Sequence, residues 1–298
     1  MTEQNYTLIG HPLGHSMSPW IHERLFRLSG KQAGYHLTDI APEELESRIP
    51  ELKKLNGFNI TIPYKTEIIP FLDKLDESAK LFHSVNCVAN GTISIGYNTD
   101  CDGFLRSVPK LEHKKILLIG CGGVGRMMAI ASVLRHADLT ISEPDQSKAE
   151  ALVQEIKALE EKAHQMAAGV GKVSDTEYQV RLAPADSLDE AFDLIMNASP
   201  VGMYPNTDRC PVSDALIQKC SAVFDVIYNP TETLLMKKAR KAGKTAVGGS
   251  AMLVWQAVRA HEIWYNSRFQ REDIENLISE MEQEINQNFK TEKKEKSA

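Results

Sequence analysis

Between residues 114 and 134 the chain reads as a buried strand, a run of glycines and a helix, in that order. Lys114, Lys115 and Ile116 lead into Leu117-Leu118-Ile119, a continuous apolar run of the kind a parallel strand covered on both faces requires. Glycines follow at 120, 122, 123 and 125, and residues 127–134 have the composition of a helix packed on a sheet. Gly120, Gly122 and Gly125 fit the G-x-G-x-x-G spacing. Missing side chains let the backbone approach a pyrophosphate, and a helix N-terminus favours its negative charge. The strand before and the helix after favour a dinucleotide-binding turn over a plain tight turn. Gly120, Gly122, Gly123 and Val124 are its candidate contacts.

The totals narrow the remaining classes. A length of 298 residues allows one large or two modest domains. A formal net charge of -6 and a pI near 5.9 argue against nucleic acid as a partner. No apolar run approaches membrane-spanning length. Residues 1–9 lack a basic n-region and an apolar h-region, so no signal peptide is expected. The five cysteines (87, 101, 121, 210 and 220) are odd in number and form no C-x-x-C pair. A reduced, cytoplasmic protein without a structural metal site is expected. No H-E-x-x-H spacing and no Ser–His–Asp elbow competes.

Taken in order, the first half alternates strands with helices. Residues 6–10 form a strand, 11–15 a turn, and Ser16-Met17-Ser18-Pro19 opens a helix over 20–28. Ser18 suits an N-cap and Pro19 the first helical position. The Ser16 and Ser18 hydroxyls can therefore bind an anion such as a carboxylate, or do no more than cap. Strands are expected over 35–40 and 58–62, with a helix over 41–55 between them. Lys65 follows the strand that ends at Pro63, on the side where open α/β sheets bind ligands. It can move a proton, or be an ordinary surface lysine. A helix over 67–81, broken at Pro70, precedes strands 84–88 and 92–96 joined at Asn90-Gly91. Asn98 and Asp100 come next. They either face the cleft with Lys65 or cap the helix from Gly103 as an Asx turn.

The second half repeats the alternation. Glu143 ends the strand 138–142, at about the twenty-residue offset where an acid meets the ribose 2′-hydroxyl of NAD. The other reading is a loop acid before Pro144. A long helix is expected over 150–169 and a flexible loop over 171–177. Strands follow at 178–182, 192–196, 222–227 and 245–247, with a helix over 234–242. Asn197-Ala198-Ser199-Pro200 and Ile227-Tyr228-Asn229-Pro230 fall at strand ends on the ligand side. Gly248-Gly249-Ser250 opens helix that runs, with breaks, to about 285. Residues 290–298 are a charged tail expected to be disordered.

Together these motifs describe a cofactor turn, an anion cap and a proton-transfer lysine with an acidic partner. Hydride transfer needs such a set and needs neither metal nor nucleophile. Over nearly its full length the chain resembles the shikimate dehydrogenase family. The matching stretches are 14–19, 59–65 (Asn-Ile-Thr-Ile-Pro-Tyr-Lys), Val85-Asn86, 96–100, 120–123, 197–203, 228–230 and 249–256.

The resemblance implies an α/β fold: an N-terminal α/β substrate domain with a mostly parallel open sheet, plus a Rossmann dinucleotide-binding domain. Expected boundaries are 1–105 with 251–288 for the discontinuous substrate domain, 106–250 for the Rossmann domain, and 289–298 for the tail. It further implies that Lys65 transfers the proton with Asp100, not Asp102, as its partner. Ser16, Ser18 and Tyr228 would hold a substrate carboxylate. Thr61, Asn86, Asp100 and Gln256 would bond ring hydroxyls. Gly120, Gly122, Gly123, Val124, Glu143, Asn197, Ser199, Ile227, Gly249 and Met252 would line the cofactor.

One departure bears on the cofactor, NAD(H) or NADP(H). NADP-dependent members carry Asn-Arg-Thr after the second Rossmann strand, whereas this chain has Glu143-Pro144-Asp145. A 2′-phosphate would meet two carboxylates and no arginine, with Lys148 one turn away as partial compensation. NAD(H) is therefore the expected cofactor. Shikimate is the leading substrate, with quinate, and an oxidative catabolic role, as the alternative. A non-catalytic regulatory homologue would be expected to lose the Lys65 and Asp100 pair, which is present. An amino-shikimate relative and a homodimer stay open.

Overall fold

A computed structural model describes residues 4–14, 16–168 and 178–295. The expected loop at 171–177 and the last three residues of the tail lie outside the described residues. The chain divides into two compact units, Met1–Arg106 with Ala251–Glu284, and Ser107–Ser250 with Ile285–Ala298.

The first unit contains β1 (Gln4–Gly10), α1 (Ser18–Leu28), β2 (Ala33–Asp39), α2 (Leu45–Leu52), β3 (Gly57–Ile60), α3 (Tyr64–Glu67), β4 (Lys74–Leu75), α4 (Glu77–Phe82), β5 (Cys87–Asn90), β6 (Ser94–Tyr97) and α5 (Thr99–Ser107). Its six strands lie in the order β2-β1-β3-β5-β6-β4. β1 pairs in parallel with β2 and β3, and β4 with β6. β5 runs antiparallel to both of its neighbours. One core gathers Ile9, Ile40, Phe58, Ile60, Tyr64, Ile68, Val85 and Val88, all buried. Each such side chain contributes about 1.5–3 kcal/mol when withdrawn from water.

The second unit contains β7 (Lys115–Ile119), α6 (Gly123–Val133), β8 (Asp138–Ser142), α7 (Gln146–Ala168), β9 (Val180–Leu182), β10 (Phe192–Asn197), α8 (Asp214–Lys219), β11 (Cys220–Asp225), α9 (Leu234–Lys241) and β12 (Thr245–Gly248). Its sheet runs β12-β11-β10-β7-β8-β9, with every pair parallel. The strand order turns back at β7, where the glycine turn sits. Doubly wound sheets bind ligands at that reversal, beyond the carboxyl ends of the strands. α10 (Gly249–Tyr265) and α11 (Arg271–Glu295) end the chain.

Three expectations need correction. The helix over 67–81 is instead α3, a 3-10 turn at Ile69–Phe71, β4 and α4. Pro70 has no N–H to continue a helix. Asp76 then restarts one by capping, its carboxylate accepting from the Ser78 N–H at 2.8 Å. At α1 the N-cap is Met17 rather than Ser18, and the Ser16 hydroxyl oxygen accepts from the Ser18 N–H at 3.2 Å. α11 continues through residues 290–295, where the charge run suggested disorder. Lys and Glu are good helix formers, which sustains its last turns.

Within the first unit, α5 packs closely on α10. A Cβ at Gly103 would lie 2.6 Å from the Met252 carbonyl oxygen and 2.9 Å from the Gln256 nitrogen. The Arg106 guanidinium adds a fork onto Glu262, with both bonds at 2.8 Å. Gly103→Ala is expected to destabilise by about 1–3 kcal/mol and to lower the melting temperature by about 3–10 °C. Gly91→Ala, where a Cβ meets nothing within 4 Å, is the control, expected to stay within about 0.5 kcal/mol. Equal melting temperatures for the two variants would remove this account of the α5–α10 contact.

Candidate active site

In the first unit the polar candidates meet where α3 and α5 begin. Pro63 ends the extended segment after β3, and the chain turns into α3 with Lys65 in its first turn. The Lys65 ammonium lies 2.7 Å from Asp100 Oδ2. Both side chains keep some exposure, 26% and 17% respectively, so a ligand can reach them. The other Asp100 oxygen accepts from Asn86 Nδ2 at 2.9 Å. Asn86 is buried, and its own Oδ1 accepts from the Thr99 N–H at 2.6 Å. Gln256 Oε1 lies 3.5 Å from Asn86 Nδ2 and 3.4 Å from Thr99 Oγ1, while its amide nitrogen donates to the Leu253 carbonyl. Lys65, Asn86, Asp100 and Gln256 thus form one connected polar cluster.

Their neighbours divide the other roles. Asn98 caps α5, its Oδ1 accepting from the Cys101 N–H at 3.3 Å. That is the Asx arrangement, and it leaves Asp100 to Lys65. Asp102 turns instead to Arg259, 3.5 Å away, and burial pushes its carboxyl up. Thr61 lies just beyond β3, its N–H bonded to the Ile9 carbonyl. Ser16 and Ser18 stand at the start of α1, Ser18 nearly buried. Met252 is buried on α10.

The second unit holds the glycine turn. Gly120 has φ +86°, a left-handed conformation suited to glycine. A Cβ on Gly125 would sit 2.2 Å from the Gly120 carbonyl oxygen, so strand and helix close only with glycine at both positions. A Cβ on Gly122 or Gly123 would meet nothing within 4 Å. Open space therefore lies over the N-terminus of α6, and these residues fit a pyrophosphate.

Glu143 reaches back across this turn. Its Oε2 accepts from the Cys121 N–H at 2.9 Å and its Oε1 from the Asp145 N–H at 3.1 Å. Burial opposes its ionisation, but the two N–H groups prevail, and its carboxyl lies below the ordinary range. Lys148 pairs with Asp145 at 3.3 Å, and Arg126 pairs with Glu155. On the other side of β7, Asn197 is fully buried and its Oδ1 accepts from Ser199 N–H and hydroxyl at 3.1 and 2.6 Å. The Ile227 carbonyl accepts from the Gly249 N–H at 3.1 Å. Tyr228, partly exposed, follows β11.

Two residues with structural parts in these half-sites were not singled out from the sequence. Thr99 bridges Asn86 and Gln256. Asp225 accepts from Asn197 at 3.1 Å. Thr99 stood inside the Asn-Thr-Asp motif, and Asp225 was legible as a lone acid ending the apolar run Ala-Val-Phe. Among the described residues no three His, Cys, Asp or Glu side chains gather as a metal site, and no helix is long and apolar enough to cross a membrane.

Comparison with known proteins gives the lineage. Residues 8–88 match the family model described as the shikimate dehydrogenase substrate binding domain. A protein named shikimate dehydrogenase (NADP(+)) from Shouchella clausii is 34% identical over 287 residues, which is 93% of this chain and 98% of that one. A chorismate mutase/shikimate 5-dehydrogenase fusion protein from Clostridium acetobutylicum superposes with a TM-score of 0.82 at 29% identity, covering 96% of this chain and 100% of its own. Shikimate 5-dehydrogenase from Listeria monocytogenes, solved in complex with shikimate and NAD, has a TM-score of 0.77 at 26% identity over 93% of this chain and 96% of its own. With near-complete coverage on both sides, this chain belongs to the shikimate dehydrogenase family.

Proposed function

We propose that this protein is an NAD-preferring shikimate dehydrogenase, which interconverts shikimate and 3-dehydroshikimate. The observation that carries the reading is the Lys65 ammonium 2.7 Å from Asp100 Oδ2 in a partly exposed pocket of polar groups. The nicotinamide, when bound, gives or takes the hydride at C3. Lys65 handles the other half of the chemistry. In reduction its ammonium donates a proton to the C3 oxygen as the hydride arrives at carbon. In oxidation the neutral amine takes that proton back. Asp100 holds the ammonium in place, and Asn86 fixes the Asp100 rotamer.

The remaining residues bind and orient. Ser16 and Ser18 supply hydroxyls at the N-terminus of α1, where an anionic carboxylate is favoured, with Tyr228 as a further carboxylate partner. Thr61, Asn86, Asp100 and Gln256 present donors and acceptors to the ring hydroxyls. Gly120, Gly122, Gly123 and Val124 hold the pyrophosphate, and Asn197, Ser199, Ile227, Gly249 and Met252 border the nicotinamide side. A cytoplasmic location fits five cysteines that form no disulfide among the described residues.

The preference for NAD rests on Glu143 and on charges already used. A ribose 2′-hydroxyl can donate to the Glu143 carboxylate, whereas a 2′-phosphate would face it directly. Lys148, the cation that acts on Glu143, pairs with Asp145, and Arg126 in the first turn of α6 pairs with Glu155. NAD-linked kcat/KM is expected to exceed the NADP-linked value by about tenfold or more, the worth of one charged hydrogen bond. An assay at 340 nm crossing shikimate and quinate with both cofactors measures it. Equal kcat/KM for the two cofactors would overturn the preference, and faster turnover of quinate would move the role to catabolism.

Lys65→Ala is expected to lower kcat by about 10²–10⁴-fold while the melting temperature and the affinity for NADH hold. Native turnover by that variant would remove Lys65 from proton transfer and favour a non-catalytic homologue.

A further inference from the structure

The second unit contains a buried carboxylate that the reaction does not use. Asp225 ends β11 and is fully enclosed. Three donors converge on it: Asn197 Nδ2 and the Ile227 N–H reach Oδ1, each at 3.1 Å, and the Thr233 hydroxyl reaches Oδ2 at 2.8 Å. None of the three can reverse its role easily. The Asn197 oxygen already accepts from Ser199, which fixes the amide with its nitrogen toward Asp225. The Thr233 oxygen accepts from the Met236 N–H at 3.3 Å, so its one proton is directed at the carboxylate. The Ile227 N–H can only donate. An acceptor-only group suits this place, and a protonated acid or an amide would set a donor among donors.

The elements tied here face the cofactor. Glu143 follows β8 on one side of the glycine turn, the side that takes the adenosine half of a dinucleotide. β10 and β11 lie on the other side of β7, which leaves them the nicotinamide half. Resting on the cofactor reading above, we propose that Asp225 is a positioning residue for the nicotinamide half: its ionised carboxylate holds Asn197 at the end of β10, and the loops after β10 and β11 that carry Ser199 and Ile227, in their binding arrangement. The Ile227 carbonyl extends the hold to Gly249 at the start of α10.

The electrostatics agree with a positioning role. Burial pushes the Asp225 carboxyl up to about 6, against the bonds from Thr233, Ile227 and Asn197. A raised folded-state pKa stabilises the fold at pH below the ordinary carboxylate range, and that contribution is lost as pH rises through about 6. Ionisation at neutral pH therefore works against stability. Of the titratable groups nearby, the Cys210 thiol, raised mainly by burial, senses the Asp225 charge. The groups bonded to Asp225 are uncharged.

The test is a fluorescence titration of NADH, with NADPH in parallel, from pH 5.5 to 8. It compares native protein, Asp225→Asn and Thr233→Val, with shikimate binding measured by calorimetry. Native affinity is expected to be level above about pH 7 and to weaken as pH falls through about 6. Asp225→Asn should bind about tenfold more weakly at pH 7.5, without that pH dependence and with native affinity for shikimate. Thr233→Val removes a bond that favours the ionised form, so its midpoint should move to higher pH. Native NADH affinity in Asp225→Asn, an unmoved midpoint in Thr233→Val, or a parallel loss of shikimate affinity would overturn the proposal. A folded native protein that binds neither dinucleotide at any pH would overturn the cofactor reading, and this proposal with it.

Discussion

The side chain of Asn86 is bonded at both its oxygen and its nitrogen, and the polar cluster of the first unit is arranged around it. Its oxygen accepts from Thr99, its nitrogen donates to Thr99 and Asp100, and its backbone carbonyl accepts from Asn59 Nδ2 and the Ile60 N–H. Those bonds join the end of β3, the approach to β5 and the first turn of α5. A buried amide left without partners would cost about 1–3 kcal/mol, so the three segments are held in one arrangement. The Lys65–Asp100 pair inherits its geometry from this arrangement. Its orientation is set before any ligand arrives, which is what proton transfer at a fixed atom requires.

The second unit solves a different problem with the same means. A parallel sheet leaves polar groups at the carboxyl ends of its strands, and the loops there must be held without a ligand. Glu143 holds the glycine turn through the Cys121 N–H and its own loop through the Asp145 N–H. Asp225 holds the opposite loops through three donors. The carboxylates differ in setting. Glu143 lies at the partly exposed rim and its carboxyl sits below the ordinary range, whereas enclosure drives that of Asp225 upward. One fits an outward-facing partner, the other an internal brace.

Much of this was legible in the sequence where a local rule had no rival. The glycine turn is an example: only glycine tolerates the φ of Gly120 and the approach of Gly125, so the spacing, with the strand before it and the helix after it, located it. Position within a motif also singled out Asp100 over Asp102, and the two side chains do point to different partners. Legibility failed where tertiary bonds decide. Residues 67–81 carry helical spacing, yet Pro70 and the cap at Asp76 divide them, and pairing with β6 draws Lys74–Leu75 into the sheet. Ser18 has the composition of a cap, but the hydroxyl that bonds the open N–H belongs to Ser16. Asp225 lies inside the strand expected over 222–227 and was not singled out, because its partners lie 28 positions before it and 8 after.

The discontinuity of the first unit has a consequence for how the chain is made. Gln256 belongs to the cluster around Asn86, and Glu262 pairs with the Arg106 fork, yet they are synthesised 170 and 156 residues after their partners. The second unit's sheet is complete once β12 has emerged, and it can form while the first unit still lacks α10. During that interval the α5 face around Gly103 has no helix to cover it. The nascent first unit therefore waits, with the cluster around Asn86 unfinished, on a second unit that can already be folded. A nascent chain whose residues up to 250 have emerged would carry an assembled glycine turn and an incomplete cluster around Asn86.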